Sequence, residues 1–198
     1  MKGHKEALEI FERSNLSNAV LLMVGNGNEQ FKKTFSIPYR FRLLIMNLIK
    51  NRRLIITSMC RKETVSAFKD ADLFLFPSNV ECSPIVLFES MAAKTPFLCT
   101  DVGNSAEIVR WSNGGLILPT TIDRKGYSHA NIAESALVLK NLLKNIRKRD
   151  ELQASGFNAW KRHFTWEIIS RSYESLYLEL IRNKNNVSIF QTPPSRRE

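Results

Sequence analysis

The sequence is poor in the features that mark secreted, metal-stapled and membrane-spanning chains. Its 198 residues include only three cysteines, Cys60, Cys82 and Cys99. An odd number with no CxxC or Cys/His spacing excludes a disulfide framework or zinc ribbon, and predicts reduced thiols and no metal site. No apolar run approaches the ~18 residues of a spanning helix. The first residues, Met-Lys-Gly-His-Lys-Glu, lack the apolar stretch of a signal peptide. Together these absences predict a cytoplasmic protein. Eight glycines and seven prolines are too few for a collagenous or low-complexity chain. Acidic residues are also scarce, 19 against 29 basic ones, for a net charge of +10. The deficit is local, since residues 30–62 carry nine basic side chains and no acidic one. Such a patch attracts phosphates of any origin, whether nucleic acid, anionic lipid or nucleotide, and its sign does not choose among them.

A chain of this length with 43% apolar residues can bury a core without staples. Short apolar runs at residues 19–24, 54–57, 73–76, 96–100 and 115–118 read as parallel strands covered on both faces. Helical spacing falls between them, at residues 6–14, 63–70, 84–93 and 105–111, and on a stripe of Phe41, Leu44, Ile45, Leu48 and Ile49 after Pro38. Strand alternating with helix predicts an α/β domain with a Rossmann-like parallel sheet and helices on both faces. Beyond Pro119 the strands are expected to stop. Ile132, Ala136, Leu139, Leu143 and Ile146 mark one long helix, and residues 156–182 supply one or two more. The aromatics Phe157, Trp160, Phe164, Trp166, Tyr173 and Tyr177 are expected in the core or in domain packing, not in a nucleic-acid platform.

Ligands of open parallel sheets bind beyond the carboxyl ends of the strands, which directs attention to the loop after residues 73–76. Ser83 is expected to cap a helix that opens at Pro84. The N–H groups of Ile85 and Val86, with the helix dipole, then offer a phosphate site. Glu81 precedes the cap, and Glu89 lies in the second turn. Either carboxylate could accept a hydroxyl of a bound ligand, or both could be solvated acids. Gly25-Asn26-Gly27 reads as a strand-exit turn and not a full dinucleotide fingerprint. His4, His129 and His163 share no ligand spacing.

The chain resembles the C-terminal, donor-binding domain of group 1 (family 4) glycosyltransferases, retaining enzymes of the GT-B fold. The resemblance runs through Lys2-Gly3-His4 with Ala7-Leu8, then Val24-Gly25-Asn26-Gly27 and Ala71-Asp72-Leu73-Phe74-Leu75-Phe76-Pro77-Ser78. Glu81 and Glu89 match the family's paired glutamates. Pro96, Asp101-Val102-Gly103-Asn104, Glu107-Ile108-Val109 and Asn113-Gly114-Gly115 follow. It implies that a nucleotide-sugar, UDP- or GDP-linked, is the substrate and that no metal or other cofactor is required. On this pattern Glu81 contacts the donor sugar and Glu89 the ribose hydroxyls. Lys2 neutralises the departing diphosphate, and Ser58 and Met59 lie by the base, with Gly25 near the donor. Two positions depart from the pattern, Cys82 and Lys94 standing where the family has glycine.

The resemblance further implies a donor-binding domain over residues 1–182 and a disordered tail over 183–198. The family's arginine strand is expected just upstream of Lys2, and its N-terminal acceptor domain in cis or in trans. The expected acceptor is a glycan or lipid-linked saccharide in polysaccharide or lipopolysaccharide synthesis, with the isolated chain inactive. The alternative is a non-catalytic nucleotide-binding or partner-docking module. The basic helix after Pro38 is either a sheet cover or a peripheral contact with the inner face of the membrane. Nucleic acid is not an expected partner.

Overall fold

The computed structural model describes residues 2–25 and 51–184. The expected helix on Phe41 to Ile49, the basic side chains from Lys32 to Lys50, Asn26 and Gly27 of the turn, and residues 185–198 of the tail lie outside the described residues. The chain forms two compact units, residues 1–160 and 161–198.

In the first unit α1 (His4–Ser14) leads to β1 (Val20–Val24), which pairs in parallel with β2 (Arg53–Thr57) so that Val20 faces Arg53 and Val24 faces Thr57. Then α2 (Arg61–Asp70), β3 (Phe74–Phe76), α3 (Ile85–Ala92), β4 (Phe97–Cys99), α4 (Ser105–Ser112) and β5 (Gly115–Ile117) alternate. Strands β3, β4 and β5 form a second parallel ladder in that order, with Phe74, Phe97 and Gly115 in register. The fold is therefore the expected α/β arrangement, with its parallel strands in two ladders.

Burial explains the apolar runs. Phe97, Leu98 and Cys99 of β4 are all fully buried, as a strand covered on both faces requires. Leu98 joins Ile10, Leu118, Leu139, Leu142 and Leu152 in one cluster. Each such side chain contributes ~1.5–3 kcal/mol on burial, whereas an exposed ion pair contributes ~0–1 kcal/mol. The apolar cluster, not the surface charge, holds this unit. Arg52, expected as part of the basic surface, is instead buried against α1. It stacks on Phe11 with its guanidinium carbon 4.4 Å from the ring centroid, and it donates to the carbonyls of Phe11 and Glu12. These carbonyls belong to the last turn of α1, where a cation complements the helix dipole.

Three expectations fail for local reasons. The strands do not stop at Pro119: β6 (Thr120–Ile122) and β7 (Ser128–Ala130) form an antiparallel hairpin. Its β-branched Thr-Thr-Ile strand favours a pleated backbone. Its turn is set by Asp123, whose Oδ1 accepts the N–H groups of Lys125 at 2.8 Å and Tyr127 at 2.9 Å. The long helix is two, α5 (Ile132–Lys144) and α6 (Ile146–Ala159). Asn145 interrupts it with ψ 83°, and its side chain caps α6 by accepting from Lys148 N at 3.0 Å. Ile146 accordingly opens α6 and is 62% exposed instead of facing the core. Finally, α3 starts at Ile85. Pro84, with ψ 96°, takes the capping position that was expected of Ser83, and no side-chain cap bond forms.

The second unit opens within a π-helical turn (Trp160–Phe164) and continues into α7 (Trp166–Lys184). Thr165 caps its first turn by accepting from Ile168 N at 3.4 Å. Trp166, Tyr173 and Tyr177 are more than half exposed, so these aromatics do not form a core. Among the described residues no helix is long and apolar enough to cross a membrane.

Candidate functional site

The loop between β3 and α3, residues 77–84, is held from three directions. Pro77, Ser78 and Asn79 are buried. Ahead of α1, Gly3 lies so close that any Cβ there would stand 1.7 Å from the Pro77 carbonyl oxygen. From the segment before α4, Asn104 N donates to Cys82 O at 3.0 Å. Gly103 there has φ +54°, and a Cβ on it would lie 2.3 Å from Cys82 O. From the hairpin, Ser128 N donates to Asn79 O at 3.0 Å. The Asn79 amide answers by donating to Ser128 O at 2.8 Å and to Glu6 Oε1 at 2.9 Å. Thr100 Oγ1, just beyond β4, donates to Ser78 O. A loop fixed by this many backbone contacts presents its side chains from a rigid frame.

Glu81 and Lys2, separated by 78 intervening residues, meet on this frame. Lys2 Nζ donates to Glu81 Oε1 at 2.5 Å, and Ser78 Oγ donates to the same oxygen at 2.8 Å. The Glu81 side chain is 12% exposed and that of Lys2 59%, so the carboxylate is fixed while the cation faces solvent. His4 stands in the next turn of chain. Desolvation, aided by the Lys2 cation and opposed by Glu6, holds its imidazole below the ordinary 6.5. Helix α3 begins beside the loop, and helix geometry leaves the N–H groups of Ile85 and Val86 without intrahelical acceptors. Ser83 is exposed at its mouth.

A second group gathers at the carboxyl ends of β1 and β2. Gly25 N donates to Thr57 O at 3.1 Å, and Ser58 Oγ donates to Gly25 O at 3.2 Å. Met59 is next, half-buried. Glu89, on α3, is tied to this side of the molecule by Arg61 of α2, whose Nη1 lies 2.8 Å from Glu89 Oε1. The structure thus brings together Lys2 with Glu81 and Gly25 with Ser58. It also adds residues that the sequence reading missed: Arg61, and the supporting pair Asn79 and Glu6. Arg61 was visible only as one of several basic residues, and its partner is 28 positions away. Asn79 carries no motif signal.

His129 closes the support on the hairpin side, with Nδ1 3.5 Å from Glu6 Oε1 and Nε2 3.2 Å from Asp123 Oδ2. Among the described residues no group of three or more His, Cys, Asp or Glu side chains could hold a metal ion. Cys60 and Cys82 are exposed and Cys99 is buried, all as free thiols. Burial pushes the Cys99 thiol up to about 12, leaving it unreactive.

A parallel α/β unit of strands alternating with helices is of the doubly wound class, whose ligands bind at the carboxyl ends of the strands, where these polar side chains stand. The profile of the family described as glycosyl transferases group 1 matches residues 1–150, and the chain belongs to that family. No curated protein shows significant similarity to the sequence. A glycosyltransferase from Rickettsia africae ESF-5 superposes with a TM-score of 0.66 at 18% identity, covering 92% of this chain and 45% of that one. HepE of Anabaena, solved in complex with UDP, gives a TM-score of 0.64 at 15% identity, with 89% and 45% coverage. The C-terminal domain of the group 1 family protein LpcC from Francisella tularensis gives 0.61 at 17% identity, covering 83% of this chain and 80% of that domain. The chain thus spans less than half the length of the first two. Its fold is that of the Rossmann-like C-terminal half of a GT-B glycosyltransferase.

Proposed function

We propose that this chain is the donor half of a retaining glycosyltransferase, binding a UDP- or GDP-sugar between residues 77–86 and the carboxyl ends of β1 and β2. The observation that carries the reading is the meeting of Lys2 with Glu81 beside the first turn of α3. Departure of a nucleoside diphosphate builds negative charge, and a cation tethered by Glu81 near helix-terminal N–H groups is suited to receive it. Lys2 and the N–H groups of Ile85 and Val86 take the diphosphate, and Glu81 takes hydroxyls of the sugar. Glu89 reads the ribose, while Ser58, Met59 and Gly25 line the base, and Ser83 flanks the phosphates. The Anabaena HepE structures, solved with UDP and with UDP-glucose, support a uridine nucleotide.

An acceptor half completes the site, and the acceptor is a glycan or lipid-linked saccharide handled at the cytoplasmic face of a membrane. Similarity to WaaG, a glycosyltransferase involved in lipopolysaccharide biosynthesis, supports that class of acceptor. Without its acceptor half the chain binds nucleotide but does not transfer sugar. Calorimetric titration with UDP, GDP and ADP tests the donor reading. One nucleotide binds selectively, and Lys2→Ala and Glu89→Ala each weaken it. Equal affinity for all three, untouched by either substitution, overturns the reading.

A further inference from the structure

Arg61 sits where its own helix disfavours it. It is the first residue of α2, and a cation there opposes the helix dipole. Its backbone has little freedom: the Glu63 carboxylate caps the Cys60 N–H at 2.8 Å, and Thr64 N closes the first helical bond to Cys60 O at 2.9 Å. The side chain is 71% exposed, yet its guanidinium is engaged with Glu89 at 2.8 Å. As a stabilising contact an exposed pair of this kind is weak. Its geometric effect is larger. Glu89 is the only charged side chain of α3, and the hydroxyl of its neighbour Ser90 is committed to Thr95 O at 2.6 Å. Arg61 is therefore the side chain that fixes the rotamer of Glu89.

We infer that Arg61 is a positioning residue for the nucleotide ribose. Resting on the donor reading above, this assigns it the task of holding Glu89 Oε1 so that the remaining acceptor sites of the carboxylate face a vicinal diol. A carboxylate has roughly four lone-pair sites, and one guanidinium N–H occupies one of them. Local rules are broken most often where function demands it, and a cation at a capped helix start, paired with the one carboxylate of α3, is such a break. The consequence is selectivity for nucleotides that keep their ribose hydroxyls.

The test is titration of the full chain with UDP and with 2′,3′-dideoxy-UDP, for the wild type, Arg61→Ala, Arg61→Lys and Glu89→Gln. A positioning role predicts that Arg61→Ala loses about tenfold in UDP affinity, the loss expected for one well-placed hydrogen bond to a charged group. Affinity for the dideoxy nucleotide stays unchanged, and Arg61→Lys recovers part of the loss. Equal losses for both nucleotides would place Arg61 on the diphosphate and overturn the inference, as would no loss for either. If Glu89→Gln weakens UDP while Arg61→Ala does not, only this inference falls. If Glu89→Gln is silent, the ribose reading falls with it.

Discussion

Gly103→Ala is the substitution that most sharply separates the backbone frame of the site from ordinary stability. Three costs add. Gly103 has φ +54°, and an L residue in the left-handed region costs ~1–2 kcal/mol. The new Cβ would stand 2.3 Å from Cys82 O and 2.7 Å from Glu81 O. The loop must therefore withdraw by about 1 Å, an overpacking cost of ~1–3 kcal/mol. Withdrawal also strains the bond from Asn104 N to Cys82 O, a further ~1 kcal/mol. The expected loss is ~3–6 kcal/mol. Gly126 supplies the control: it has φ +82°, but a Cβ there meets nothing within 4 Å. Gly126→Ala therefore carries the dihedral cost alone, ~1–2 kcal/mol. Urea unfolding followed by far-ultraviolet circular dichroism gives both values, and titration with UDP follows in native buffer. Gly103→Ala loses at least ~10-fold in UDP affinity as the Glu81–Cys82 backbone retreats, about 1.4 kcal/mol or more, whereas Gly126→Ala binds normally. Equal destabilisation by the two variants, with UDP binding intact in both, would refute the reasoning.

Asn79→Ala removes a buried amide with two hydrogen bonds, one of them to the carboxylate of Glu6. It should cost ~2–4 kcal/mol in urea unfolding. Thiol labelling of the native chain should stop at two of its three cysteines, Cys60 and Cys82, with Cys99 reacting only after unfolding. The pH dependence has a definite sign. The folded chain holds His4 below 6.5, so its contribution is fully present above that value and is lost as pH falls through it. The urea midpoint of the wild type should drop between pH 7.5 and 5.5 more than that of His4→Gln. Asp123 is held below its ordinary 3.8, chiefly by the Tyr127 N–H, so Asp123→Asn should flatten a further decline below that pH.

The parts of the fold that could be read from sequence are those in which burial and pattern agree. Residues 97–99 form a fully buried strand because nothing polar interrupts them, and the helix at residues 4–14 follows from Ala7, Leu8, Ile10 and Phe11 on one face. The differences come from single residues acting on the backbone. Asn145 both ends α5 and caps α6, an effect that an apolar stripe running across it conceals. Asp123 organises a hairpin turn through its side chain, while the flanking strands are only three residues each, too short for a clear period-two signal. Ser83 looked like a helix cap by residue type, but the ψ of Pro84 decided the matter.

At the site, loop position and residue type singled out Glu81 and Glu89 as possible hydroxyl acceptors. The pairing of Lys2 with Glu81, and of Arg61 with Glu89, depends on where distant segments fold. Side-chain partners across 79 or 28 positions leave no trace in local spacing. Asn79 leaves no local signal for the same reason, since its partners lie in α1 and in the β6–β7 hairpin.

The central claim is that residues 77–86 and the carboxyl ends of β1 and β2 form one nucleotide site. It is tested most directly by recording backbone amide resonances of the labelled chain during a titration with UDP. The account predicts the largest shifts at Ile85 and Val86, with Gly25, Ser58 and Glu81 moving in the same titration and α5 unmoved. Shifts confined to one of the two groups, or centred on α5 or α7, would contradict it.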